Sequence, residues 1–382
     1  MKKLKIIFCI IFLTIIYFFF FTTINNNNPI STLEGRTLTT FPKFNINNLT
    51  NKDYFDELTN AFSDQLELRN YLIKGYYLFQ FQRYNGDVVI GDNNELYASV
   101  QTINKNYYNN LKKDVLLINE LGEELNSLNT KMIFLPIPRK DAVMTDNLPK
   151  SYISSNTIYK KSIEVVKENL NNNIYLIDSL EILKNVDKPY YSNDHHLTPK
   201  GAFSLYKEII DYINKDEVKY YGIDNYIVKN KIINGSFSRQ LGQSTKTKAE
   251  ELVLLPKYNL EYTRYENEKI SKKQIFKDGN TYSLAFMDGD NALTVIDTKR
   301  NNLPNIMYVG SSYTNILESI SVISFNKMVS IDYRHNKSNK SISDYVKEYD
   351  IDYVVFMPSQ STSAFPISKI KVHLGLEKDM EL

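Results

Sequence analysis

The chain has 382 residues, 42% of them hydrophobic and 24% charged, which is enough apolar material for the core of one large domain or two smaller ones. Its 46 basic and 44 acidic residues give a formal net charge of +2 and form no long run of one sign, which speaks against a nucleic-acid partner. The single cysteine, Cys9, lies in the apolar N-terminal segment, so the rest of the chain forms no disulfide and uses no thiol nucleophile.

The N-terminal segment has the composition of a membrane-targeting sequence. Three lysines within the first five residues precede an apolar run from Ile6 to Phe21, close to the length of about 20 residues that spans a bilayer. No small-residue cleavage pattern follows this run, which favours an uncleaved anchor at residues 1–24 over a signal peptide. Lysines on the N-terminal flank keep that end in the cytoplasm. We therefore expect a single-pass protein of the cell membrane with residues 30–382 outside the cytoplasm.

A polar tether and a long helix follow the anchor. Residues 25–50 are predicted as the tether, and residues 51–382 as the folded domain that it carries. A helix that leads into this domain is predicted from Lys52 to Tyr84, because apolar residues recur there at helical spacing. These residues are Phe55, Leu58, Phe62, Leu66, Leu72 and Leu78. Two short strands around a turn rich in Gly, Asp and Asn are predicted at 88–97.

From residue 107 onward, predicted helices and strands alternate. The helices lie at 107–128, 158–170, 342–349 and from about 199 and 313 onward, and the strands lie at 132–135, 174–177, 306–309, 328–331 and 353–356. Such alternation is typical of a layered α/β domain with a mainly parallel sheet. Polar, lysine-rich sequence that includes the strand-like segment 282–286 interrupts the pattern at about 215–302, and we interpret this region as an insertion near the active site.

Two segments carry residues suited to hydrolysis or acyl transfer. The first is Asp194-His195-His196, which holds two of the four histidines and precedes a helix start with Thr198 as N-cap and Pro199 as the first helical residue. The second is Gly310-Ser311-Ser312, where a strand ends in a sharp turn. Both segments belong at the carboxyl edge of the sheet, where ligands bind in open α/β folds.

These segments supply a nucleophile, a base and a carboxylate. Ser312, third in its Gly-x-Ser turn, is the predicted nucleophile, and the helix start beyond it offers free N–H groups to an oxyanion. His196 is the predicted base. Asp194 lies two residues before it, so in an extended loop both side chains project to the same side and the carboxylate orients the imidazole. His195 is expected to point the other way.

Each segment also has a simpler interpretation. A Gly-Ser-Ser turn before a helix is frequently only an N-cap, and an Asp-His-His triplet also fits a loop or a metal site. A metal site needs a further strong ligand, and the remaining imidazoles are His335 and His373. We predict no metal, nucleotide or other cofactor.

The pattern Tyr191-x-x-Asp194-His195-His196-Leu197-Thr198-x-x-Gly201-Ala202 resembles the Asp-His-His-Trp segment of the bacterial DHHW family. That family is similar to the alginate O-acetyltransferases of the AlgX and AlgJ type in the SGNH hydrolase-like superfamily. Further similarity lies at Glu34-Gly35-Arg36, Phe41-Pro42, Tyr54-Phe55, Asp64, Arg69, Gly91–Tyr97, Pro136–Asp141 and Gly310–Tyr313. The resemblance implies an SGNH hydrolase-like α/β/α domain with a mainly parallel sheet.

The resemblance also implies roles for individual residues. In the related acetyltransferases an Asp-x-His pair supplies acid and base and a later Gly-x-Ser supplies the nucleophile, which places these roles on Asp194, His196 and Ser312. The family's Trp is Leu197 here, so an aromatic platform for substrate stacking is expected to be missing.

Four further residues are expected beside the substrate or the oxyanion. They are Gly310, Ser311, His195 and Arg334. Ser311 stands where many members of the superfamily carry Asp. Arg334 is added by the resemblance, and a surface ion pair explains an arginine at that position equally well.

The resemblance implies an enzyme that transfers or removes an acyl group, most simply acetyl, on a cell-surface polysaccharide. Acetyl outside the cytoplasm has to be supplied across the membrane, which implies a multispanning membrane acyltransferase as partner. Two other functions stay open at this point. One is a non-catalytic polysaccharide-binding or assembly factor whose site has decayed. The other is a metal-dependent phosphodiesterase that uses Asp194 and both histidines and is indifferent to Ser312→Ala.

Overall fold

The protein is described by a computed structural model that covers residues 2–31, 36–48, 50–80, 87–99, 103, 105–150, 152–213, 218–241, 249–257 and 259–359. Two compact units are present, Met1–Val88 with Ser236–Lys246 and Val89–Gly235 with Thr247–Leu382. Among the residues named above, Glu34, Gly35, Tyr84 and His373 lie outside the described residues.

The helices and strands of the described residues are numbered in chain order. The helices are α1 Lys2–Asn25, α2 Lys52–Gln65, α3 Arg69–Gln80, α4 Tyr107–Ser127, α5 Lys140–Val143, α6 Asn156–Asn169, α7 Ser179–Lys184, α8 Pro199–Ile213, α9 Ser236–Gln240, α10 Tyr282–Ala285, α11 Thr314–Ser321 and α12 Ile342–Tyr349. The strands are β1 Ile30–Ser31, β2 Arg36–Thr37, β3 Val88–Ile90, β4 Leu96–Ala98, β5 Lys131–Phe134, β6 Ile174–Leu176, β7 Tyr226–Ile232, β8 Ala249–Pro256, β9 Thr263–Glu266, β10 Lys269–Ile270, β11 Leu293–Asp297, β12 Ile306–Gly310, β13 Lys327–Asp332 and β14 Tyr353–Met357.

The first unit contains the apolar N-terminal helix. Within the described chain, Lys3–Asn25 is the one helix long and apolar enough to cross a membrane, and its place near the N-terminus suits a signal sequence or an anchor. Its end is fixed to the corner between α2 and α3. There the Glu67 N–H donates to Thr23 Oγ1 at 3.2 Å, and the Asn26 side chain donates to the Gln65 carbonyl at 2.9 Å.

The helix predicted from Lys52 to Tyr84 is broken. Leu68, between α2 and α3, has a positive φ of 61°, a left-handed conformation that a right-handed helix cannot include. The prediction of one continuous helix is therefore wrong over its described part. Apolar spacing missed the corner because it carries no signal for the backbone conformation of a single residue.

The second unit is built around a mixed sheet. Eight described strands lie in the order β10-β9-β11-β13-β12-β14-β5-β6. The five strands from β13 to β6 run parallel to one another, whereas β11, β9 and β10 each pair antiparallel with their neighbours. All five residues of β12 and of β14 are buried, as expected for parallel strands covered on both faces. The predicted α/β fold with a mainly parallel sheet is confirmed.

Helices cover this sheet on both faces. Crossover connections between parallel strands are right-handed. The connections through α6 and α12 lead toward the β6 edge of the sheet, and the connection through α11 leads toward β13. Helices α6 and α12 therefore lie on one face and α11 on the other. α4 contacts α6 and α12, and α8 contacts α11, which completes the two outer layers.

Residues 215–302, interpreted as an insertion, adopt two kinds of structure. β7 and β8 form a separate antiparallel ribbon, whereas β9, β10 and β11 extend the main sheet beyond β13, which the sequence did not indicate. The strand-like segment 282–286 forms the short helix α10, because the Thr281 side chain accepts from Leu284 N at 3.4 Å and caps it. A strand at this position is thus a wrong expectation.

Candidate active site

The predicted nucleophile lies in the turn between β12 and α11. A Cβ atom on Gly310, the last residue of β12, would collide with the Thr314 side chain and lie 3.0 Å from the Met357 carbonyl oxygen. The turn is closed by the Thr314 N–H, which donates to the Ser311 carbonyl at 2.9 Å. Glycine is therefore required where β12 meets the turn, and Ser312 follows it at the carboxyl edge of the sheet.

Ser312, His196 and Asp194 form one hydrogen-bonded line. His196 Nε2 lies 2.9 Å from Ser312 Oγ, and His196 Nδ1 lies 2.7 Å from Asp194 Oδ1. Ser312 and His196 are each 5% exposed and Asp194 is 1% exposed. Because an ionised carboxylate only accepts, the proton of a neutral imidazole lies on Nδ1 and leaves Nε2 free to accept the serine proton. The structure thus brings the three predicted residues together in an arrangement able to activate a hydroxyl.

The loop that carries Asp194 and His196 is a tight turn. Asp194 Oδ1 accepts from the backbone N–H of His195 at 2.6 Å and of His196 at 3.2 Å, so the side chain folds back on its own loop. An antiparallel bridge between Tyr190 and Leu197 closes the base of the turn. The predicted meeting of carboxylate and imidazole occurs, but the expected extended loop is wrong.

His195 lies against His196 instead of pointing away. The two ring centroids are 3.9 Å apart, and His195 Nδ1 lies 3.4 Å from Asp194 Oδ1. Its side chain is 34% exposed, which makes it the accessible imidazole of the site. The prediction that His195 points away assumed an extended loop, and it is wrong because the loop is a tight turn.

A buried lysine fixes the start of this loop. Lys140 Nζ donates to the carbonyl oxygens of Tyr191 and Ser192, both at 2.7 Å, and lies 2.7 Å from Glu95 Oε2. Burial lowers the pKa of Lys140, and the Glu95 carboxylate opposes this by favouring the charged form. The sequence pointed to Lys140 only as part of Pro136–Asp141, and the location of that segment between β5 and α6 was the available signal for a place in the site.

Residues from the segment interpreted as an insertion also hold the loop. The Glu250 carboxylate accepts from Ser192 N at 2.8 Å and from Ser192 Oγ at 2.9 Å. Burial raises the pKa of Glu250, opposed by these two hydrogen bonds. Asn193 donates to the Ile233 carbonyl at 2.6 Å. The segment thus contributes to the site, although no sequence pattern pointed to these residues.

The other predicted site residues lie in neighbouring loops. Ser311 Oγ is 3.0 Å from Ser359 Oγ, beyond the end of β14. Arg334 is held by two carboxylates, with Nη2 at 2.5 Å from Asp332 Oδ2 and 3.0 Å from Asp290 Oδ2. This geometry fits the ion-pair interpretation of Arg334 that the sequence left open.

Among the residues that the structure describes, two groups of side chains have the composition of a metal site. The ligand atoms of Asp194, His195 and His196 lie within 4.8 Å of one another, and so do those of Asp290, Asp332 and His335. In the first group both ring nitrogens of His196 are already hydrogen-bonded, one to Asp194 and one to Ser312. In the second group the Arg334 guanidinium already forms ion pairs with both carboxylates. The contacts therefore fit a proton relay and an ion pair better than two cation sites.

A comparison with known protein families identifies the chain. Residues 88–290, just over half of its length, match the family described as the SGNH hydrolase-like domain of the acetyltransferase AlgX. The chain belongs to this family. The match includes Asp194 and His196 and ends before Ser312, and it bears out the resemblance noted from the Asp-His-His segment.

Solved structures support the same fold for the AlgX-family domain. A DHHW family protein from Eubacterium siraeum is 20% identical over 75% of this chain and 95% of its own, with a TM-score of 0.60. Bacillus cereus PatB1 is 22% identical over 75% of this chain and 100% of its own, with a TM-score of 0.62. PatB1 with a sulfonyl adduct is 19% identical over 74% and 98%, with a TM-score of 0.60. No curated protein sequence matches the chain.

The residue after the histidines lies in the core. Leu197 is fully buried, so it belongs to the core of this AlgX-family domain and is not a surface for a substrate. The aromatic ring stacked on the imidazole is that of Tyr282, whose centroid lies 3.8 Å from that of His196, and the ring of Tyr313 lies 5.0 Å away at a tilt. Sequence analysis missed Tyr282 in this role, because no local pattern connects residue 282 with residue 196.

Glu318, buried on α11, makes the stability of the domain depend on pH. Burial raises its pKa to about 7 from an ordinary 4.5, opposed by hydrogen bonds from Thr314 and Ser330 and by the charge of Arg264. Between these values the unfolded chain releases the proton while the folded chain keeps it, so stability falls as pH rises.

We expect Glu318→Gln to remove the loss of stability that Glu318 causes at high pH. The free energy of unfolding should rise by about 3 kcal/mol at pH 8 and change little at pH 4. Glutamine keeps a partner for Ser330 Oγ, which now donates to Glu318 at 2.7 Å. Urea unfolding at the two pH values measures the effect. Glu164→Gln, an exposed change on α6, is the control, and an equal gain at both pH values would contradict the assignment.

Proposed function

We propose that this chain is a membrane-anchored, extracytoplasmic enzyme that transfers or removes acetyl groups on a cell-surface polysaccharide. Ser312 is the nucleophile, His196 the general base and Asp194 the carboxylate that orients it. The observation that carries the proposal is the buried line of hydrogen bonds at 2.7 Å and 2.9 Å that joins these three side chains. Membership in the AlgX acetyltransferase family supports acetyl as the group.

The proposed reaction has two halves. His196 Nε2 takes the proton of Ser312 Oγ as the oxygen attacks the acyl carbonyl, and the protonated imidazole then gives that proton to the departing group of the donor. The acyl-serine is resolved in reverse, when an acceptor hydroxyl loses its proton to Nε2 and takes the acyl group. Asp194 stabilises the imidazolium in both halves. Gly310, Ser311 and His195 are proposed to lie beside the oxyanion and the substrate.

Transfer and hydrolysis differ only in the acceptor. Transfer requires that water be kept from the acyl-serine while a sugar hydroxyl enters. The low exposure of Ser312 and His196, 5% each, supports transfer, and the half-exposed imidazole of His195 marks the side from which an acceptor enters.

The proposed location follows from α1. At about 1.5 Å per residue, the 23 residues of Lys3–Asn25 are long enough for a hydrocarbon core of about 30 Å. The lysines at the start of this helix support an N-terminus in the cytoplasm and an AlgX-family domain outside. Acetyl then has to reach the domain from the membrane, which makes a multispanning acyltransferase the proposed donor partner.

A covalent trap tests the proposal on the full-length protein in detergent. The protein is incubated with an activated acetyl ester or with a sulfonyl fluoride, because PatB1 is known with a sulfonyl adduct, and the modified peptide is located by mass spectrometry. We expect one acetyl or sulfonyl group on Ser312 and turnover that is insensitive to chelator. Added oligosaccharide should divert acetyl from water to sugar hydroxyls.

Each alternative function predicts a different outcome. An unmodified Ser312 and no turnover would leave a polysaccharide-binding or assembly factor. Activity on phosphodiesters that is lost with chelator and independent of Ser312 would favour the metal-dependent enzyme. Acetyl-serine that water resolves equally fast with and without oligosaccharide would make the protein an esterase.

A further inference from the structure

Tyr282 contacts the proposed base through its ring. The centroids of Tyr282 and His196 lie 3.8 Å apart with an interplanar angle of 5°, so the two rings are stacked face to face. His195 lies 3.9 Å from the same imidazole at a tilt of 35°. Two rings this close to one imidazole cannot share a face, so His196 is enclosed between Tyr282 and His195.

The hydroxyl of Tyr282 contacts the helix that follows the nucleophile. The N–H groups in the first turn of a helix have no partner within the helix. In α11 those of Thr314 and Asn315 donate to the carbonyls of Ser311 and Ser312, and that of Ile316 donates to Tyr282 Oη at 3.2 Å. Burial raises the pKa of Tyr282 well above its ordinary value, so the oxygen that accepts this bond belongs to a neutral phenol.

Tyr282 is itself rigidly held. It is 1% exposed, it opens the capped helix α10, and its ring lies 5.2 Å from that of Phe286 and 6.5 Å from that of Tyr191. A side chain fixed in this way loses little entropy when it restrains its neighbours. Tyr282 thus contacts His196 directly and is connected to Ser312 through the start of α11.

We propose that Tyr282 is a positioning residue that sets the plane of the His196 imidazole and the start of α11, and so the angle at which Ser312 Oγ meets Nε2. The hydrogen bonds at Nδ1 and Nε2 hold the two ring nitrogens of His196 along one line and leave rotation of the ring about that line. Tyr282 is the ring stacked parallel to the imidazole and opposes this rotation, whereas the rings of His195 and Tyr313 contact it at a tilt. The inference rests on the proposed function, because it assigns Tyr282 to the same reaction. It also explains how the segment at 215–302 takes part in the site.

The two contacts of Tyr282 are separable by substitution. Tyr282→Phe keeps the stacked ring and deletes the hydroxyl, whereas Tyr282→Leu deletes the ring as well. Tyr159 supplies the matched control, because it is also fully buried and donates to the Pro136 carbonyl at 2.9 Å. Tyr159→Phe and Tyr159→Leu report the cost of losing a buried tyrosine elsewhere in the same domain.

Kinetics on the full-length protein give the first readout. We expect Tyr282→Leu to lower kcat by about 10²-fold with KM unchanged, the size of effect that misplacement of a reacting group produces. Tyr282→Phe should restore most of kcat and unfold at a lower temperature than the wild type, because Ile316 N–H loses its partner. Tyr159→Leu should lower the unfolding temperature and leave kcat of the folded protein unchanged. Equal kcat in wild type and folded Tyr282→Leu would overturn the proposal.

Nuclear magnetic resonance of the histidine rings gives a second readout that needs no turnover. A proton above a phenol ring is shifted upfield, so the His196 ring resonances should move downfield in Tyr282→Leu and stay in place in both Tyr159 variants. Unchanged His196 resonances in Tyr282→Leu would refute the positioning role. A wild type that forms no acyl-serine but shows the expected shift would refute the proposed function and leave the stacked geometry standing.

Discussion

Ser312→Ala should abolish the acyl-enzyme and lower kcat by between about 10⁴-fold and 10⁶-fold, the loss found when a nucleophile of this kind is deleted. The hydroxyl at 2.9 Å from His196 Nε2 is the group that forms the covalent bond, and alanine leaves nothing at that position to accept an acyl group. Intact mass after incubation with an activated acetyl ester measures the adduct, and release of acetate measures turnover.

Ser311→Ala is the matched control for this change. Ser311 is as buried as Ser312, 5% exposed in each case, but its Oγ lies 3.0 Å from Ser359 Oγ and not beside the imidazole. The change deletes only the Ser311 side chain and keeps its backbone N–H and the hydroxyl of Ser312, so the adduct should still form on Ser312 even if its rate changes. An acetyl group that persists in Ser312→Ala would move the nucleophile to another residue and contradict the assignment of the turn.

The fold was predictable from the sequence where an element carries a clear local apolar pattern. Helix Ile342–Tyr349 has the predicted bounds, and the buried strands β12 and β14 lie where short apolar runs indicated them. Such runs carry their own signal, because parallel strands are apolar on both faces. The corner at Leu68 and the helix at Tyr282–Ala285 depend on single backbone and capping interactions that override the local pattern.

Only those site residues that lie close together in the sequence could be predicted from it. Asp194 and His196 are two residues apart, and the Gly-x-Ser turn spans three residues. Each of these two segments was therefore recognisable by itself. Lys140, Glu250 and Tyr282 reach the site from distant loops, and nothing in a single sequence records such contacts. The orientation of His195 was predicted wrongly for a related reason. In an extended chain the side chains of His195 and His196 point to opposite sides, but the tight turn brings them together.

Asp194→Asn should lower kcat by about 10³-fold to 10⁴-fold while the protein stays folded. The carboxylate accepts from three donors, the backbone N–H groups of His195 and His196 and the imidazole Nδ1. An amide is able to keep the backbone contacts through its oxygen, but it is neutral and no longer stabilises the imidazolium that forms when Ser312 loses its proton. It also allows the tautomer with the proton on Nε2, which cannot accept from the serine.

Asp141→Asn separates this effect from the loss of a buried charge in general. Asp141 is 2% exposed and forms an ion pair with Arg139 at 2.7 Å, so its neutralisation leaves a buried guanidinium without its carboxylate and lowers stability. We expect Asp141→Asn to shift the unfolding transition more than Asp194→Asn, and to keep kcat of the folded fraction close to the wild type. The discriminating quantity is therefore kcat per folded molecule, with the folded fraction taken from the unfolding transition of each variant. A wild-type value for Asp194→Asn would mean that His196 is oriented by its stacking partners alone and that the carboxylate serves only to shape the turn.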